Sequence, residues 1–230
     1  MRFVLVLATA AGLLVSPAMA QDLPALGTTA HDNVGIGTRI VPLLPGDWTV
    51  AAIHESRSSS NSPIGRAILV QLADGKLSRW AYISTNLEWN SAGWKRNKSI
   101  CDRHSVHYAY SDDNNNPKDI TCWILNHRGQ TLGENASQVW VDFFRWSDSR
   151  SRPNTSLALE YFFARNGDFL EVTYDFNPVI DGFHDTSTAS WRGNPWHVDM
   201  ASKDARKLDY LRKLKVSGED QFAKLRTVLK

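Results

Sequence analysis

The chain has 230 residues, a formal net charge of +2 and 22% charged residues. So even a balance excludes a protein organised by charge around nucleic acid. Nine Trp residues and a 42% apolar composition supply enough for a sizeable core.

The first twenty residues, MRFVLVLATAAGLLVSPAMA, read as a signal peptide. Arg2 is the positive start, Phe3 to Val15 the apolar run, and Ala18-Met19-Ala20 a small-x-small cleavage site that leaves Gln21 at the new N-terminus. The alternative is a buried N-terminal helix. No later stretch has the roughly 18 uninterrupted apolar residues of a membrane span. The mature chain is therefore expected in the periplasm or outside the cell, with no transmembrane segment. Cys101 and Cys122 are its two cysteines. In an oxidising compartment they read as one disulfide, with a pair of metal thiolates as the competing reading.

Residues 21–47 carry Gly, Pro and Thr without a sustained period and read as an N-terminal arm, part of which packs down. Residues 48–230 read as a single β-rich domain. Trp48 to His54 alternates as a strand, and Ser56 to Pro63 is a polar loop. Gly65 to Ile83 reads as a hairpin around Asp74-Gly75, with Leu72 facing Leu77 and Leu69 facing Trp80. Both its faces are partly apolar, so it is expected to be the more enclosed of two hairpins. Asn86 to Lys98 breaks the period and holds Trp89, Trp94, Lys95 and Arg96. Flat aromatics beside cations suit a sugar face, a lipid headgroup or an anionic polymer, and these four residues are the candidate binding surface. The bland alternative is two core plugs and a solvated basic turn.

Ile100 to Tyr110 and Ile120 to Asn126 read as short strands, joined by the turn chemistry of SDDNNNPKD, where Pro117 fixes φ. Cys101, His104 and His107 are spaced by three, a zinc-like pattern only if Cys101 is free and the segment helical. VWVDFFRW, 139–146, reads as alternating, with Trp140, Phe144 and Trp146 on one side and Val141 and Phe143 on the other.

The strongest local signal is Leu157 to Phe176. Asn166-Gly167 favours a type I′ turn, and a loop there pairs Phe163 with Leu170, Tyr161 with Val172, Leu159 with Tyr174 and Leu157 with Phe176. The opposite face pairs Phe162 with Glu171, Glu160 with Thr173 and Ala158 with Asp175, and is expected to meet water or partial cover. A one-residue slip would send every apolar pair to solvent, so this register is strongly specified.

Asp181 to His197 is irregular and carries His184-Asp185 and His197-x-Asp199, candidate acid/base pairs or simply loop anchors. From Asp199 the period turns helical: a first helix with Ala205, Leu208, Leu211 and Leu214 on one side, and a second opening at Ser217, with Asp220 resembling a capping box. Residues 199–230 carry nine Lys or Arg against five Asp or Glu, which suits a solvated helix face or an anionic surface. Sequons occur at Asn97, Asn135 and Asn154 and matter only in a host that glycosylates.

The fold expected is α+β: a mainly antiparallel sheet of roughly six to nine strands, a sandwich or a strongly curved sheet, with two C-terminal α-helices. No nucleophile elbow, metalloprotease helix, P-loop or dinucleotide fingerprint occurs. The function expected is an exported, disulfide-containing, non-catalytic module without cofactor that binds a cell-envelope component or another exported protein. The alternative is a hydrolase using the 181–197 loop. Any site is expected where Phe176-Asn177-Pro178 leaves the sheet.

Overall fold

A computed structural model describes residues 23–112, 116, 119–185 and 190–229. The expected signal peptide and its cleavage site, as well as Pro117, lie outside the described residues. In chain order the strands are β1 (Thr29–Ala30), β2 (Asn33–Ile36), β3 (Arg39–Pro42), β4 (Trp48–Arg57), β5 (Pro63–Ala73), β6 (Lys76–Asn86), β7 (Tyr108–Asp112), β8 (Asp119–Gly129), β9 (Thr155–Arg165) and β10 (Asp168–Phe176). The helices are α1 (Lys98–Cys101), α2 (Gln138–Ser147), α3 (Val198–Ala201) and α4 (Ala205–Leu225).

Eight strands form one antiparallel sheet in the order β1-β4-β5-β6-β10-β9-β8-β7, and β2 and β3 form a separate ribbon. Two meanders, β4-β5-β6 and β7-β8-β9-β10, meet at a seam between β6 and β10 that runs from Leu170↔Thr85 to Phe176↔Arg79. The chain is thus α+β, as its patterning requires.

The register of β9 and β10 is the one the alternation dictates, from Asp168↔Arg165 to Phe176↔Leu157. The turn differs in type. Asn166 has φ 56°, but Gly167 lies outside the left-handed region, so the turn is not type I′. Gly167 serves close approach instead. A Cβ there would come 2.2 Å from Nε1 of Trp89, and the Gly167 carbonyl accepts from the Trp94 indole at 2.9 Å. In the β5–β6 hairpin Leu72 faces Leu77, but a bulge at Gln71/Leu72 shifts the remainder by one, so Trp80 faces Val70 and Leu69 faces Ala81. Nor is this hairpin the more enclosed. β9 and β10 are central in the sheet, and β9 is buried from Thr155 to Ala164.

Two segments read as strands are helical. VWVDFFRW fits a period of two and of 3.6, and length alone does not decide between them. In α2, Val139, Phe143, Phe144 and Ser147 form the buried stripe, which packs on Trp80, Ile68 and Val70. Around Ile100 the chain forms α1, because the Asn97 side chain accepts from Ser99 N and caps it. Strand structure resumes only at Tyr108. The C-terminal helices break at 202–204, not at Ser217. Asp204 caps α4 by accepting from the backbone N–H of Arg206 and Lys207, and α4 then runs unbroken through Ser217 and Gly218. Gly218 faces the sheet, where a Cβ would sit 2.8 Å from the Trp123 ring and 2.9 Å from Leu159. Its carbonyl accepts from Tyr161 Oη at 3.0 Å. What looks like a helix breaker is the point of closest helix–sheet contact.

The sheet therefore has two different faces. The first carries Leu157, Leu159, Tyr161, Val172, Tyr174, Trp123 and Trp48 and is sealed by α4 and the β2–β3 ribbon. The Pro42 carbonyl, at the end of the ribbon, accepts from both Tyr174 Oη at 2.8 Å and Gln221 Nε2 at 2.7 Å. The second face, expected to meet water or partial cover, is enclosed: helices cover its ends, and long side chains such as Arg103 and Arg128 lie over its middle, where Glu160 and Asp175 are buried. At one end lies α2. At the other, α1 and Trp94 cover Phe162, Phe169, Ile120 and Ile124. The Cys101–Cys122 disulfide pins α1 there, with Cα atoms 5.3 Å apart. Trp48, Trp80, Trp123 and Trp196 are fully buried. Each such ring contributes a gross transfer free energy of about 4–6 kcal/mol, so the Trp content is mainly a core device.

Candidate functional site

Between α1 and α2 the second face is polar. Register fixes its floor, because paired residues share a face. One row across the sheet reads Asn126, Ala158, Asp175 and Trp80, and the next reads Ile124, Glu160, Thr173 and Tyr82. Ala158, the smallest of these, lies between Asn126 and Asp175. Asn126, Ser156, Glu160, Thr173 and Asp175 are all buried. Above them stand half-buried side chains with access to water: Glu171, Asn97, Arg66, Arg103 and Arg128.

Six buried side-chain polar atoms among the described residues have no hydrogen-bond partner, and four lie on this face: Glu160 Oε1, Asp175 Oδ2, Asn126 Nδ2 and Trp80 Nε1. Buried polar groups are otherwise nearly always paired, so their convergence marks the cleft. Arg103 Nη1 stands 3.6 Å from Glu160 Oε1, and Arg128 Nη1 stands 3.5 Å from Asp175 Oδ2. Both are ion-pair distances beyond a good hydrogen bond. The other Asp175 oxygen accepts from Ser156 Oγ at 2.6 Å, and Glu171 Oε2 accepts from Asn97 Nδ2 at 3.0 Å. Arg66 donates to Ser56 Oγ.

Burial governs the electrostatics. It raises the Glu171 carboxyl to about 7, with Glu160 on the neighbouring strand adding to it and Asn97, Arg128 and Arg66 opposing. Asp175 is raised to about 6 by burial, against Arg128 and the Ser156 hydrogen bond. Burial would lower the Arg128 guanidinium, but Asp175, Glu160 and Glu171 outweigh it and hold it raised. Tyr82 is raised by burial and by Glu171. The cleft thus holds two carboxyls poised near neutrality and a guanidinium facing three acids. Such perturbation concentrates at functional sites.

Arg103 links the cleft to a second cluster at the sheet edge. Its guanidinium lies 4.5 Å over Trp191, which stacks on His127 at 3.7 Å. His107 and His197 flank His127 at 6.5 and 5.7 Å between ring centroids. Burial lowers His127 to about 4, and His107 is lowered for the same reason. His107 Nε2 lies 2.8 Å from the Trp196 carbonyl.

The other sequence candidates are dispersed. Trp89 is 66% exposed. Trp94 is anchored, packing on Phe169 at 4.3 Å and donating to Gly167. Arg96 bonds Asp102 and Ser111, while Lys95 faces solvent. These four residues lie in the loop beside the β9–β10 turn. Cys101 is disulfide-bonded, so the Cys101-His104-His107 spacing has no thiolate to offer. His184 is exposed, and Asp185 beside it accepts from Asn154 instead. His197 is buried and caps α3. At the exit from β10, Asn177 is buried and donates to the Leu77 carbonyl. A hollow of about 570 Å³ opens there, lined by Gln71, Arg79, Phe176 and Asp181. A larger one, about 870 Å³, lies beside the Arg39–Asp168 ion pair. Neither is lined by any of the unpartnered buried atoms, so the cleft is the better site despite their size.

Sequence reasoning found the polar face of the β9–β10 hairpin but not the site. Glu160, Glu171 and Asp175 were legible as neighbours; Arg66, Arg103, Arg128 and Asn126 reach them only through the sheet order. Glu160 on β9 and Glu171 on β10, charged residues on the same face of a hairpin whose other face is wholly apolar, were the available signal.

No protein-family model and no curated protein matches the chain. Among solved structures, the effector-binding domain of the B. subtilis trehalose repressor is similar over 64% of this chain and 99% of its own, at 12% identity and a TM-score of 0.29. The described residues form a disulfide-bonded, β-rich domain with no helix long and apolar enough to cross a membrane. The disulfide is consistent with an extracytoplasmic location.

Proposed function

We propose that the chain is an exported binding module that takes a small polar component of the cell envelope into the cleft between α1 and α2 and does not turn it over. The carrying observation is the convergence of Glu160 Oε1, Asp175 Oδ2 and Asn126 Nδ2, buried and unpartnered, beneath a rim of arginines. A ligand that pairs them recovers the desolvation already suffered by each, on the order of 1–3 kcal/mol per group. The apolar ends of the same face, under α1 and α2, hold these groups in place without it. Export rests on the N-terminal pattern and the disulfide. Trp89, Trp94, Lys95 and Arg96 belong to the proposal as a separate contact for a larger partner such as another exported protein, with Trp89 as its exposed element.

Retention on isolated envelope tests this reading. Glu160→Gln should lose retention while Trp89→Ala keeps most of it, locating the site in the cleft. Wild-type retention by both variants would remove the cleft and the Trp89 surface together.

One observation favours a second reading, a hydrolase. Glu171 is held near 7 with a second carboxyl, Glu160, on the neighbouring strand, and a carboxyl so raised is suited to acid/base work. This moves the enzyme alternative from the 181–197 loop to the cleft. Release of reducing sugar from envelope polysaccharide, abolished in Glu171→Gln, would establish it over simple binding.

A further inference from the structure

We infer that the ligand class of this cleft is an uncharged polyhydroxy compound, a saccharide ring or polyol, seated over Ala158 with hydroxyls bridging the unpartnered acceptors and donors around it. The inference rests on the cleft being the binding site. Its first support is charge. Glu160, Glu171 and Asp175 face Arg66, Arg103 and Arg128, so acids and guanidiniums are matched in number. An ammonium ligand would compete with Arg128, which already faces all three acids. A carboxylate or phosphate ligand would be forced against the Glu160 and Asp175 carboxylates, which already occupy the facing arginines.

The second support is the kind of atom left unpartnered. Two are acceptors, Glu160 Oε1 and Asp175 Oδ2, and two are donors, Asn126 Nδ2 and Trp80 Nε1. Asn126 keeps its other terminus engaged, since its Oδ1 accepts from the His127 backbone N–H at 2.9 Å. Arg103 and Arg128 add donors 3.6 and 3.5 Å from the acids, held over the Trp191 and Trp140 rings. A hydroxyl donates once and accepts at two lone pairs, so a single one can satisfy a carboxylate on one side and an amide or guanidinium on the other. Several of them on one small frame match a floor whose unpartnered groups lie one row of the sheet apart. The third support is the aromatic flank: Trp140, stacked on Tyr82 at 5.3 Å, borders these groups on the α2 side.

The test uses the intact, oxidised protein. Its amide spectrum is titrated separately with D-glucose, D-galactose, D-mannose and glycerol, and with D-glucosamine and D-glucuronate as the cationic and anionic forms of the same ring. At least one neutral probe should shift the amides of Asn126, Ala158, Glu160 and Asp175 saturably, with the charged forms weaker. Glu160→Gln should weaken that probe by roughly ten- to a hundredfold, the loss of one hydrogen bond to a charged acceptor. Asn126→Ala, beside Ala158 on β8, should weaken it also and keeps the test open if the first variant does not fold. Saturable shifts from glucosamine or glucuronate alone would overturn the ligand class and leave the binding reading standing. Silence from every probe, with envelope retention unchanged in Glu160→Gln, would overturn both.

Discussion

Glu171→Gln should stabilise the protein at alkaline pH and leave it unchanged in acid. Glu171 titrates at about 7 in the folded chain and near 4.5 when unfolded. A raised carboxyl binds its proton more tightly in the native state, so its contribution to stability is fully present below about pH 4.5. It is lost as pH rises through about 7. At 1.36 kcal/mol per unit, the displacement corresponds to roughly 3 kcal/mol. Glu171 reaches solvent, and screening removes part of that, which leaves about 1–2 kcal/mol. Gln fills the same volume, carries no charge to desolvate, and still accepts from Asn97. Urea unfolding followed by Trp fluorescence should therefore show the variant more stable by that amount at about pH 8, converging with wild type at about pH 4. Equal stability at the higher pH, or a difference independent of pH, would refute the assigned burial of an ionised carboxyl. A stabilising substitution that also weakens ligand binding would mark the trade-off expected of a functional site.

Gly218→Ala should lower the urea midpoint, by about 1–2 kcal/mol of stability. The helix-propensity gain of about 1 kcal/mol is outweighed by overpacking against Trp123 and Leu159, which costs about 1–3 kcal/mol and loosens the Tyr161 hydrogen bond besides; a raised midpoint would show that α4 can stand off the sheet. Replacing Cys101 and Cys122 together by Ser should cost about 3 kcal/mol on the loop-entropy model, and hydrogen exchange at the Ile100 amide should speed up as α1 loosens. His127→Gln acts with the opposite sign to Glu171. The lowered imidazole contributes stability that is present above its ordinary value of 6.5 and lost as pH falls through about 4, so the variant should flatten the loss of urea stability across that window, and an unchanged decline would reassign it to other groups.

How much the sequence discloses depends on how local the cause is. The Leu157–Phe176 register is legible to the residue because Asn166-Gly167 and an unbroken apolar alternation specify it jointly. The Gly65–Ile83 register is legible only as far as its bulge, since both faces are apolar there and a one-residue slip costs the pattern nothing. VWVDFFRW is ambiguous because its six aromatic and branched residues satisfy two periods at once; its helical state comes from packing on Trp80 and Ile68. Gly218 reads as a break because the ring it approaches, Trp123, is on a distant strand. The cleft shows the same limit more strongly. Its acids sit on one hairpin, but Arg66 arrives from β5, Arg128 from β8 and Arg103 from the loop before β7, so the chemistry exists only after the two meanders join.

The Pro42 carbonyl has a bearing on when this protein is able to fold. Its two donors, Tyr174 and Gln221, tie the ribbon to a central strand and to the last helix, and Gln221 lies 179 residues further along the chain. At about 5–20 residues per second, synthesis separates the two by on the order of ten to thirty seconds. Until α4 arrives, Trp123, Leu159 and Tyr161 lack the helix that covers them in the folded protein. The hairpins and the ribbon are made first, but this face of the core closes only when α4 docks.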